Sequence, residues 1–405
     1  MDRNYDLVVI GGGPAGERGA AQAAYFGKRV AIVERQPEPG GAAVHTGTLP
    51  SKTLRETALF LSGYRQRHLD GVMVDLDPEL TVTRLLERKD AVRHLELERI
   101  HTNLERHGID LLSGDGRLAD PHTVEVNSSD GVTRVHADVI LIATGSSPYR
   151  PPGIPYDDDD IHDADGILHI QRLPGSMAVI GGGVIGCEYA CMFAALGVQV
   201  HLIDPRHGLL PFLDQEMGER LADAMRSLGV TLHLEHKHEH VTRGPVGLTC
   251  RLSSGEALVV ESVMVAAGRQ GNTDGLELRA IGVRVDPRGY VEVDEDFRTA
   301  VPGVYAAGDV VGFPALASVS MEQARVAVCH AFGFTYKRQV SELLPYGVYT
   351  IPEVSCVGLG HQEAVERGVD AVSGRAFFRD NARAQILGDD NGMVKLVIDR
   401  ATRKI

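Results

Sequence analysis

The sequence has no tryptophan, only five cysteines and no excess of basic residues. Its 405 residues include 41 Lys and Arg against 55 Asp and Glu, which gives a formal net charge of −14 at pH 7. Nucleic acids and anionic membrane surfaces both bind to basic protein surfaces. We therefore expect neither a nucleic-acid partner nor a membrane partner.

The few cysteines also lack the spacing of a metal site or of a disulfide framework. Cys187, Cys191, Cys250, Cys329 and Cys356 are odd in number and form no CxxC pair. Reduced thiols and a cytoplasmic location follow from this pattern, and no metal is predicted.

No segment of the sequence is predicted to direct the chain to a membrane. Residues 1–6 are polar and lead directly into an apolar strand, so no signal peptide is predicted. The longest apolar stretch, residues 178–200, contains Glu188 and several glycines, which is wrong for a membrane span.

The N-terminal residues form a complete dinucleotide-binding pattern. Residues 7–10 are an apolar strand, and Gly11-Gly-Gly13-Pro-Ala-Gly16, a helical run and a strand ending at Glu34 follow. Gly11 permits a tight turn, Gly13 lets the backbone approach a pyrophosphate, and Gly16 lets helix and strand pack closely. Glu34 can accept hydrogen bonds from a ribose diol.

The same pattern returns in the middle of the chain. A strand, Gly181-Gly-Gly183-Val-Ile-Gly186, a helix and a second strand lead to Asp204. Gly11 precedes Glu34, and Gly181 precedes Asp204, by the same 23 positions. One such turn is weak support, but two complete units with equal spacing indicate two dinucleotides, of which FAD with NAD(P)H is the usual pair.

Further glycine-ended strands belong to the same architecture. An apolar strand precedes Thr144-Gly145, its counterpart in the second unit precedes Gly268, and a third strand ends at Gly308-Asp309. Asp309 could bind a ribityl hydroxyl, and an ordinary Asp-containing turn is the alternative interpretation. A helix is predicted over residues 315–331, with its N-terminus near Ala317 facing the flavin.

These segments together resemble the FAD-dependent pyridine nucleotide-disulfide oxidoreductases, which include glutathione reductase and lipoamide dehydrogenase. The resemblance implies an α/β fold with two Rossmann-like domains and a truncated C-terminal α+β dimerisation domain. The expected FAD-binding domain comprises residues 1–153 and 275–342, and the NAD(P)-binding domain comprises residues 154–274. Residues 343–405 begin the dimerisation domain, so a homodimer is expected for the full-length chain.

The segment from Gly40 to Lys52 departs from that family. The disulfide enzymes have Cys-x4-Cys here, but this sequence has Ala43 and Thr48 at the two cysteine positions. Neither residue can form a disulfide or a thiolate, so thiol reduction of substrate by this route is excluded.

Several strings resemble the soluble (Si-specific) pyridine nucleotide transhydrogenases, a branch of the family without the cysteine pair. These strings are His45–Arg55, Ile185–Ala190, Phe212–Met217, Gly268–Thr273 and Ala382–Gly388. The resemblance implies that FAD passes hydride between NADPH and NAD⁺, with both nicotinamides using one site in turn.

The resemblance also implies roles for individual residues. Lys52 lies beside the flavin and forms an ion pair with Glu188, and these are the two catalytic candidates. Asp204 favours the ribose diol of NAD, whereas Arg206 can pair with the 2′-phosphate of NADP. The remaining residues predicted to contact the cofactors are Arg35, Gly40, Gly41, Ala43, Thr48, Gly116, Thr144, Gly145, Asp309, Ala317, Ile185 and Gly268, together with the glycines of both turns.

Two other functions also fit the sequence. The absence of the cysteine pair also fits an NAD(P)H-dependent flavin reductase that passes electrons to a quinone, a dye or oxygen. A catalytically silent flavin-binding protein is a third reading, which the Lys52/Glu188 and Asp204/Arg206 pairs disfavour. Alternation at His236, His238 and His240 would place three imidazoles on one strand face, although a solvated edge strand is the stronger reading.

The C-terminus is read as incomplete. Residues 392–398 alternate like a half-buried strand, residues 399–404 are expected to turn, and the chain ends at Ile405 before a returning strand forms. We expect the sequence to be a fragment of a longer enzyme.

Overall fold

The computed structural model describes residues 3–63, 77–388 and 391–405. Nine α-helices occur in this described part of the chain: α1 Pro14–Tyr25, α2 Gly41–His45, α3 Thr48–Leu61, α4 Pro78–His107, α5 Val184–Ala195, α6 Gln215–Ser227, α7 Ala317–Ala331, α8 His361–Glu366 and α9 Ala382–Leu387.

The same described residues contain 21 strands. In chain order they are β1 Arg3–Ile10, β2 Val30–Glu34, β3 Asp110–Ser113, β4 Asp115–Asp120, β5 Thr123–Ser128, β6 Gly131–Ile142, β7 Ser146–Pro148, β8 Ile161–Asp163, β9 Ser176–Ile180, β10 Gln199–Asp204, β11 Thr231–Leu234, β12 His238–Gly244, β13 Gly247–Leu252, β14 Ala257–Val260, β15 Ser262–Val265, β16 Arg269–Gly271, β17 Val304–Ala306, β18 Tyr346–Val348, β19 Val354–Cys356, β20 Ala371–Phe377 and β21 Met393–Asp399.

Contacts between these elements divide the chain into two compact units. The first unit comprises Met1–Ser51, Lys89–Tyr149 and Arg269–Glu342, and the second comprises Lys52–Arg88, Arg150–Gly268 and Leu343–Ile405. Among the described residues, 52–63, 77–88, 343–388 and 391–405 therefore belong with the second glycine-rich unit.

The first unit is built on a seven-stranded mixed sheet. Its strand order is β3-β2-β1-β6-β5-β4, and β17 pairs in parallel with the second half of β6. Side chains alternate across β1, so Leu7 and Val9 join one core cluster while Val8 and Ile10 join the cluster on the opposite face. A strand buried on both faces explains the uninterrupted apolar run that the sequence shows there.

The second unit repeats this plan with a five-stranded parallel sheet. Its strand order is β11-β10-β9-β15-β8. Met177 and Val179 of β9 face one core cluster, and Ala178 and Ile180 face the other. A separate antiparallel sheet, β12-β13-β14, and the hairpins β18-β19 and β20-β21 complete the unit.

The two glycine-rich units form the same backbone hydrogen bond at the first glycine of the turn. The Gly11 N–H donates to the Val33 carbonyl, and the Gly181 N–H donates to the Ile203 carbonyl, each over 2.8 Å. The α/β fold class and the two Rossmann-like units are thus confirmed. No helix among the described residues is long and apolar enough to cross a membrane.

The C-terminal hairpin of the second unit is joined to helix α6 and its N-cap by a partly buried network of ion pairs. Lys395 Nζ donates to Asp214 Oδ1 over 2.6 Å and lies 3.0 Å from Glu216 Oε2. Arg375 Nε donates to Glu216 Oε1 over 2.7 Å. The hydrogen bond from Arg375 is the main cause that lowers the pKa of Glu216 to about 2.

We predict that this network makes stability depend on pH in the acid range. Because the folded pKa of Glu216 lies below its ordinary value of 4.5, its stabilising effect is complete above pH 4.5 and is lost as the pH falls towards 2. Glu216→Gln should therefore lower the urea midpoint of unfolding at pH 7. The difference in urea midpoint between the variant and the wild type, which is the gap of interest, should narrow below pH 4.5. The matched control is Glu219→Gln on the exposed side of α6; a gap for Glu216→Gln that stays constant from pH 7 to pH 3 would refute this account.

Candidate functional site

The first glycine-rich turn is shaped by steric contact between its own glycines. Gly11 has φ +104°, and a Cβ on Gly16 would collide with the Gly11 carbonyl oxygen. Helix α1 starts at Pro14 with Gly13 as its N-cap, and no side chain caps it. The N–H groups of its first turn are therefore available to an anion.

Glu34 closes this turn from the end of β2. Its side chain is buried, and its Oε2 accepts a hydrogen bond from the Gly12 N–H over 2.7 Å. Its Oε1 accepts from the Gln36 N–H over 2.8 Å. The next residue, Arg35, is exposed. The carboxylate thus lies at the edge of the turn, where the sequence pattern predicted it.

The Gly40-Gly41 segment lies directly against the first turn. The Gly40 N–H donates to the Gly12 carbonyl over 2.8 Å, and a Cβ on Gly41 would lie 2.8 Å from the Gly13 Cα. Two backbones approach here at a distance that only glycine permits. Gly116, on β4, is packed from the other direction, because its Cβ would lie 3.1 Å from Val33 Cγ1.

Asn272, which the sequence patterns did not single out, forms hydrogen bonds with the residues that follow β6. Asn272 Nδ2 donates to the Thr144 carbonyl over 3.0 Å, and the Thr144 hydroxyl donates to the Asn272 carbonyl over 2.7 Å. The Asn272 N–H also donates to the Gly145 carbonyl. Asn272 lies in the string Gly268–Thr273, so the resemblance of that string was a signal that could have identified this residue.

Asp309 accepts hydrogen bonds from two hydroxyl groups. Its Oδ1 accepts from the Ser320 hydroxyl over 3.2 Å and its Oδ2 from the Ser146 hydroxyl over 3.3 Å. Helix α7 begins at Ala317, close to the predicted position, and no side chain caps its N-terminus. Both features leave polar groups available to a polar ligand of the first unit.

The second turn repeats the first in its steric details. Gly181 has φ +109°, and a Cβ on Gly186 would collide with the Gly181 carbonyl oxygen. Gly183 is the N-cap of α5, and a Cβ there would meet only open space. Ile185 is half-buried in the first turn of that helix, and Gly268, with φ +105°, is exposed.

Asp204 and Arg206 form a closed fork at the end of β10. Arg206 Nε donates to Asp204 Oδ1 over 2.8 Å, and Arg206 Nη2 donates to Oδ2 over 2.7 Å. The Gly182 N–H also donates to Oδ2, over 2.6 Å. Burial raises the pKa of Asp204, but the hydrogen bonds from Arg206 and Gly182 outweigh it and hold that pKa below its ordinary value.

Lys52 and Glu188 form the ion pair that the resemblance implied. Lys52 Nζ donates to Glu188 Oε2 over 2.6 Å, although 136 residues separate the two in sequence. Glu188 is buried on α5, whereas the Lys52 side chain is 27% exposed. The pair couples a partly accessible cation to a fixed buried carboxylate.

The two positions that carry cysteines in the disulfide enzymes lie in a helix and at a helix start. Ala43 is half-buried in α2, and Thr48 begins α3 and is exposed. The five cysteines of the chain are free thiols. Burial raises the pKa of each of them, to about 12 for Cys191 and about 11 for Cys250, so they stay protonated at neutral pH.

The favoured interpretation of the histidine segment is confirmed in that β12 is an edge strand of its sheet, and the alternative of three imidazoles on one strand face is not formed. Strand β12 begins only at His238, and its register against β13 shifts between His238 and His240. His236 precedes the strand. A bulge changes which face a side chain occupies, so the sequence alternation is not preserved. Among the described residues, no group of three or more His, Cys, Asp or Glu side chains is arranged to hold a metal ion.

Both turns fit a dinucleotide. Each combines an uncapped helix N-terminus, an N-cap glycine without a side chain and a carboxylate at the end of the next strand. The helix termini suit a pyrophosphate, and the carboxylates suit a ribose diol.

Comparison with known proteins agrees with this geometry. Residues 5–331 match the family described as pyridine nucleotide-disulphide oxidoreductase, and residues 344–405 match its dimerisation domain. Soluble pyridine nucleotide transhydrogenases from Mycobacterium bovis and Chromohalobacter salexigens are 45% and 41% identical to this chain. The alignments cover 100% and 99% of the chain and 86% of each relative.

Solved structures of similar proteins share the fold. LpdA from Mycobacterium tuberculosis superposes with a TM-score of 0.89 at 28% identity, covering 99% of this chain and 88% of that one. The HOCl-induced flavoprotein disulfide reductase RclA from Escherichia coli gives 0.87 at 28% identity with the same coverage. The chain belongs to the pyridine nucleotide-disulphide oxidoreductase family and, within it, groups with the soluble pyridine nucleotide transhydrogenases.

Proposed function

We propose that this chain is an FAD-dependent oxidoreductase that transfers hydride between NADPH and NAD⁺ without a redox disulfide. The observation that carries the proposal is the combination of two equivalent dinucleotide turns with an intact Lys52–Glu188 ion pair and no dithiol at positions 43 and 48. A flavin that cannot pass electrons to a disulfide must pass them to a second acceptor. The curated transhydrogenases that share 38–45% of their residues with this chain carry that activity in their names.

The first unit would hold FAD. The turn Gly11–Gly16 would receive the pyrophosphate, and Glu34 would accept hydrogen bonds from the ribose of the adenosine. Asp309 would bind the ribityl chain, and the uncapped start of α7 at Ala317 would favour negative charge on the flavin. Residues proposed to line the same cofactor are Arg35, Gly40, Gly41, Ala43, Thr48, Gly116, Thr144 and Gly145.

The second unit would hold the nicotinamide substrates in turn. Gly181, Gly183 and Gly186 would receive the pyrophosphate at the start of α5, and Ile185 and Gly268 would line the site. FAD supplies the chemistry of accepting a hydride from one nicotinamide and returning it to another. Hydride itself needs no general acid, so the work of this chain is positioning and electrostatics.

Lys52 and Glu188 would perform the electrostatic part of that work. The ammonium of Lys52 would offset the negative charge that arrives with the hydride, and the fixed carboxylate of Glu188 would hold the ammonium in place. Glu188 would also contact the nicotinamide amide. Both residues are proposed as catalytic.

The Asp204–Arg206 fork would let one site accept both substrates. Asp204 offers its carboxylate to the ribose diol of NAD, and Arg206 offers a guanidinium to the 2′-phosphate of NADP. Since the two side chains are bound to each other, we expect NADP to bind only when Arg206 turns from Asp204 to the phosphate.

Arg206→Ala is expected to lower kcat/KM for NADPH tenfold to a hundredfold, because a charge-assisted bond to the phosphate is lost. The value for NADH should change less than threefold. The control is Arg226→Ala, which removes an exposed arginine paired with Asp223. Steady-state rates with each donor and one common acceptor measure the effect, and an equal loss for both donors would disprove the assignment.

Domain organisation and assembly follow as parts of the same proposal. Residues 1–153 and 275–342 would form the FAD-binding domain, residues 154–274 the NAD(P)-binding domain, and residues 343–405 part of the dimerisation domain. A homodimer in the cytoplasm is the proposed physiological form.

The proposal is tested by steady-state transfer from NADPH to thio-NAD⁺, with the holoprotein identified by its flavin absorbance. Formation of reduced thio-NAD at a rate proportional to protein supports it. Turnover with a quinone but not with thio-NAD⁺ would favour a flavin reductase, and the absence of any turnover would favour a catalytically silent flavin protein.

A further inference from the structure

Within the part of the chain that the structure describes, Glu188 accepts hydrogen bonds from two donors, the Lys52 ammonium and a backbone amide. While Lys52 Nζ donates to Oε2, the backbone N–H of Tyr349 donates to Oε1 over 2.9 Å. Each oxygen of this buried carboxylate is therefore fixed by a different segment of the chain. The position of the carboxylate depends on the backbone at Tyr349 as much as on Lys52.

The ring of Tyr349 covers the other member of the pair. Lys52 Nζ lies 4.8 Å from the centroid of that ring, a cation–π distance. The Tyr349 side chain is 42% exposed, so its ring borders solvent rather than the core. Tyr349 thus contacts the ammonium through its ring and the carboxylate through its backbone.

The loop that begins with Tyr349 is bound by a buried arginine, Arg55, on the helix that carries Lys52. Tyr349 opens the loop between β18 and β19, and the carbonyl of the next residue, Thr350, accepts a hydrogen bond from Arg55 Nη2 over 2.9 Å. Arg55 Nη1 donates over 2.6 Å to Glu353, at the far end of the same loop. The guanidinium therefore clamps both ends of the loop that begins with Tyr349.

The arginine of this clamp is buried although its carboxylate partner is exposed, since the Arg55 side chain is 7% exposed and that of Glu353 is 60% exposed. Arg55 is 6% exposed and Thr350 is fully buried, while Leu54 and Ile351 beside them belong to the same apolar core cluster. The Arg55 Nε has no hydrogen-bond partner among the described residues. The loop is therefore tied to a buried guanidinium, and removing it takes this donor from both Glu353 and the Thr350 carbonyl.

We propose that Arg55 and Tyr349 are positioning residues of the hydride-transfer site, which fix the Lys52–Glu188 pair in one arrangement. Arg55 lies one helical turn after Lys52, so a single helix supplies the ammonium and the clamp for the loop that covers it. This inference rests on the proposed function, because it assigns the two residues to the same reaction.

Two variants separate the contributions of ring and clamp. Tyr349→Leu removes the ring and keeps the backbone N–H, and Arg55→Gln removes the clamp. Tyr349→Phe keeps the ring and is the matched control. In Tyr349→Leu and Arg55→Gln the ammonium of Lys52 is held less firmly and is more strongly screened by water. Each of these variants should therefore stabilise the reduced flavin about tenfold less than the wild type does. This corresponds to a two-electron midpoint potential about 30 mV more negative.

The experiment measures the midpoint potential of the bound flavin by dye equilibration, and the kcat and KM for NADPH, on each holoprotein. We expect Tyr349→Leu and Arg55→Gln to show the shift with about a tenfold lower kcat and a KM within twofold, and Tyr349→Phe to match the wild type. Wild-type potential and kcat in Tyr349→Leu would overturn the inference even if Arg55→Gln failed to fold. Failure of the wild type to reduce thio-NAD⁺ would instead overturn the proposed function, so the two outcomes are distinguishable.

Discussion

Replacing Lys52 with methionine is expected to slow hydride transfer from NADPH to NAD⁺ a hundredfold to a thousandfold. The variant loses the cation that would offset charge at the reacting centre, and removing one preorganised electrostatic group costs about this factor. It also leaves the buried Glu188 carboxylate with the hydrogen bond from the Tyr349 N–H but without the cation that neutralised it. Stopped-flow reduction of the flavin by NADPH measures the effect directly.

Lys28→Met is the control for that experiment. Lys28 pairs with Asp6 at a more exposed site of the first unit, so its removal changes the net charge equally without touching the pair. FAD content should stay near that of the wild type in both variants, whereas the thermal midpoint should fall in Lys52→Met, because the buried Glu188 carboxylate loses its cation, and should stay near the wild-type value in Lys28→Met. Equal rates of flavin reduction in Lys52→Met and the wild type would refute a catalytic role for Lys52.

Alanine at the third glycine of each turn is expected to abolish binding of one cofactor and spare the other. A Cβ at Gly16 or at Gly186 collides with a backbone carbonyl that cannot move without opening the turn. Gly16→Ala should therefore purify without FAD. Gly186→Ala should retain FAD in full while its reduction by NADPH slows more than a thousandfold.

Flavin absorbance and titration with NADPH check this prediction. Gly374→Ala is the control, since Gly374 lies on β20 and a Cβ there would meet nothing within 4 Å. The assignment of one cofactor to each turn would be contradicted if Gly186→Ala lost FAD, or if Gly16→Ala kept it.

Local sequence patterns were sufficient to predict the turns. Glycine spacing and a terminal acid are short-range signals, and the contacts from Gly12 to Glu34 and from Gly182 to Asp204 each span 22 positions. The strands on both sides are apolar without alternation because both of their faces are buried. These features depend on residues that lie within one βαβ unit.

Contacts between distant segments were beyond the reach of such patterns. The Lys52–Glu188 pair was expected only through resemblance, and the bond from Arg55 to Glu353 spans 298 positions. Lys395, which binds Asp214 across 181 positions, lay in a plain alternating strand and gave no signal of its burial. The histidine alternation failed for a different reason, since a bulge cannot be read from spacing alone.

Anaerobic sequential mixing shows whether one flavin passes hydride from NADPH to NAD⁺. The holoprotein is first mixed with one equivalent of NADPH, and the flavin absorbance is followed. NAD⁺ is then added without any other acceptor. We expect NADPH to bleach the flavin in the first step, and NAD⁺ to restore the oxidised flavin spectrum with formation of stoichiometric NADH in the second. A flavin that is bleached by NADPH but not reoxidised by NAD⁺ would show that the chain does not transfer hydride between the two nicotinamides.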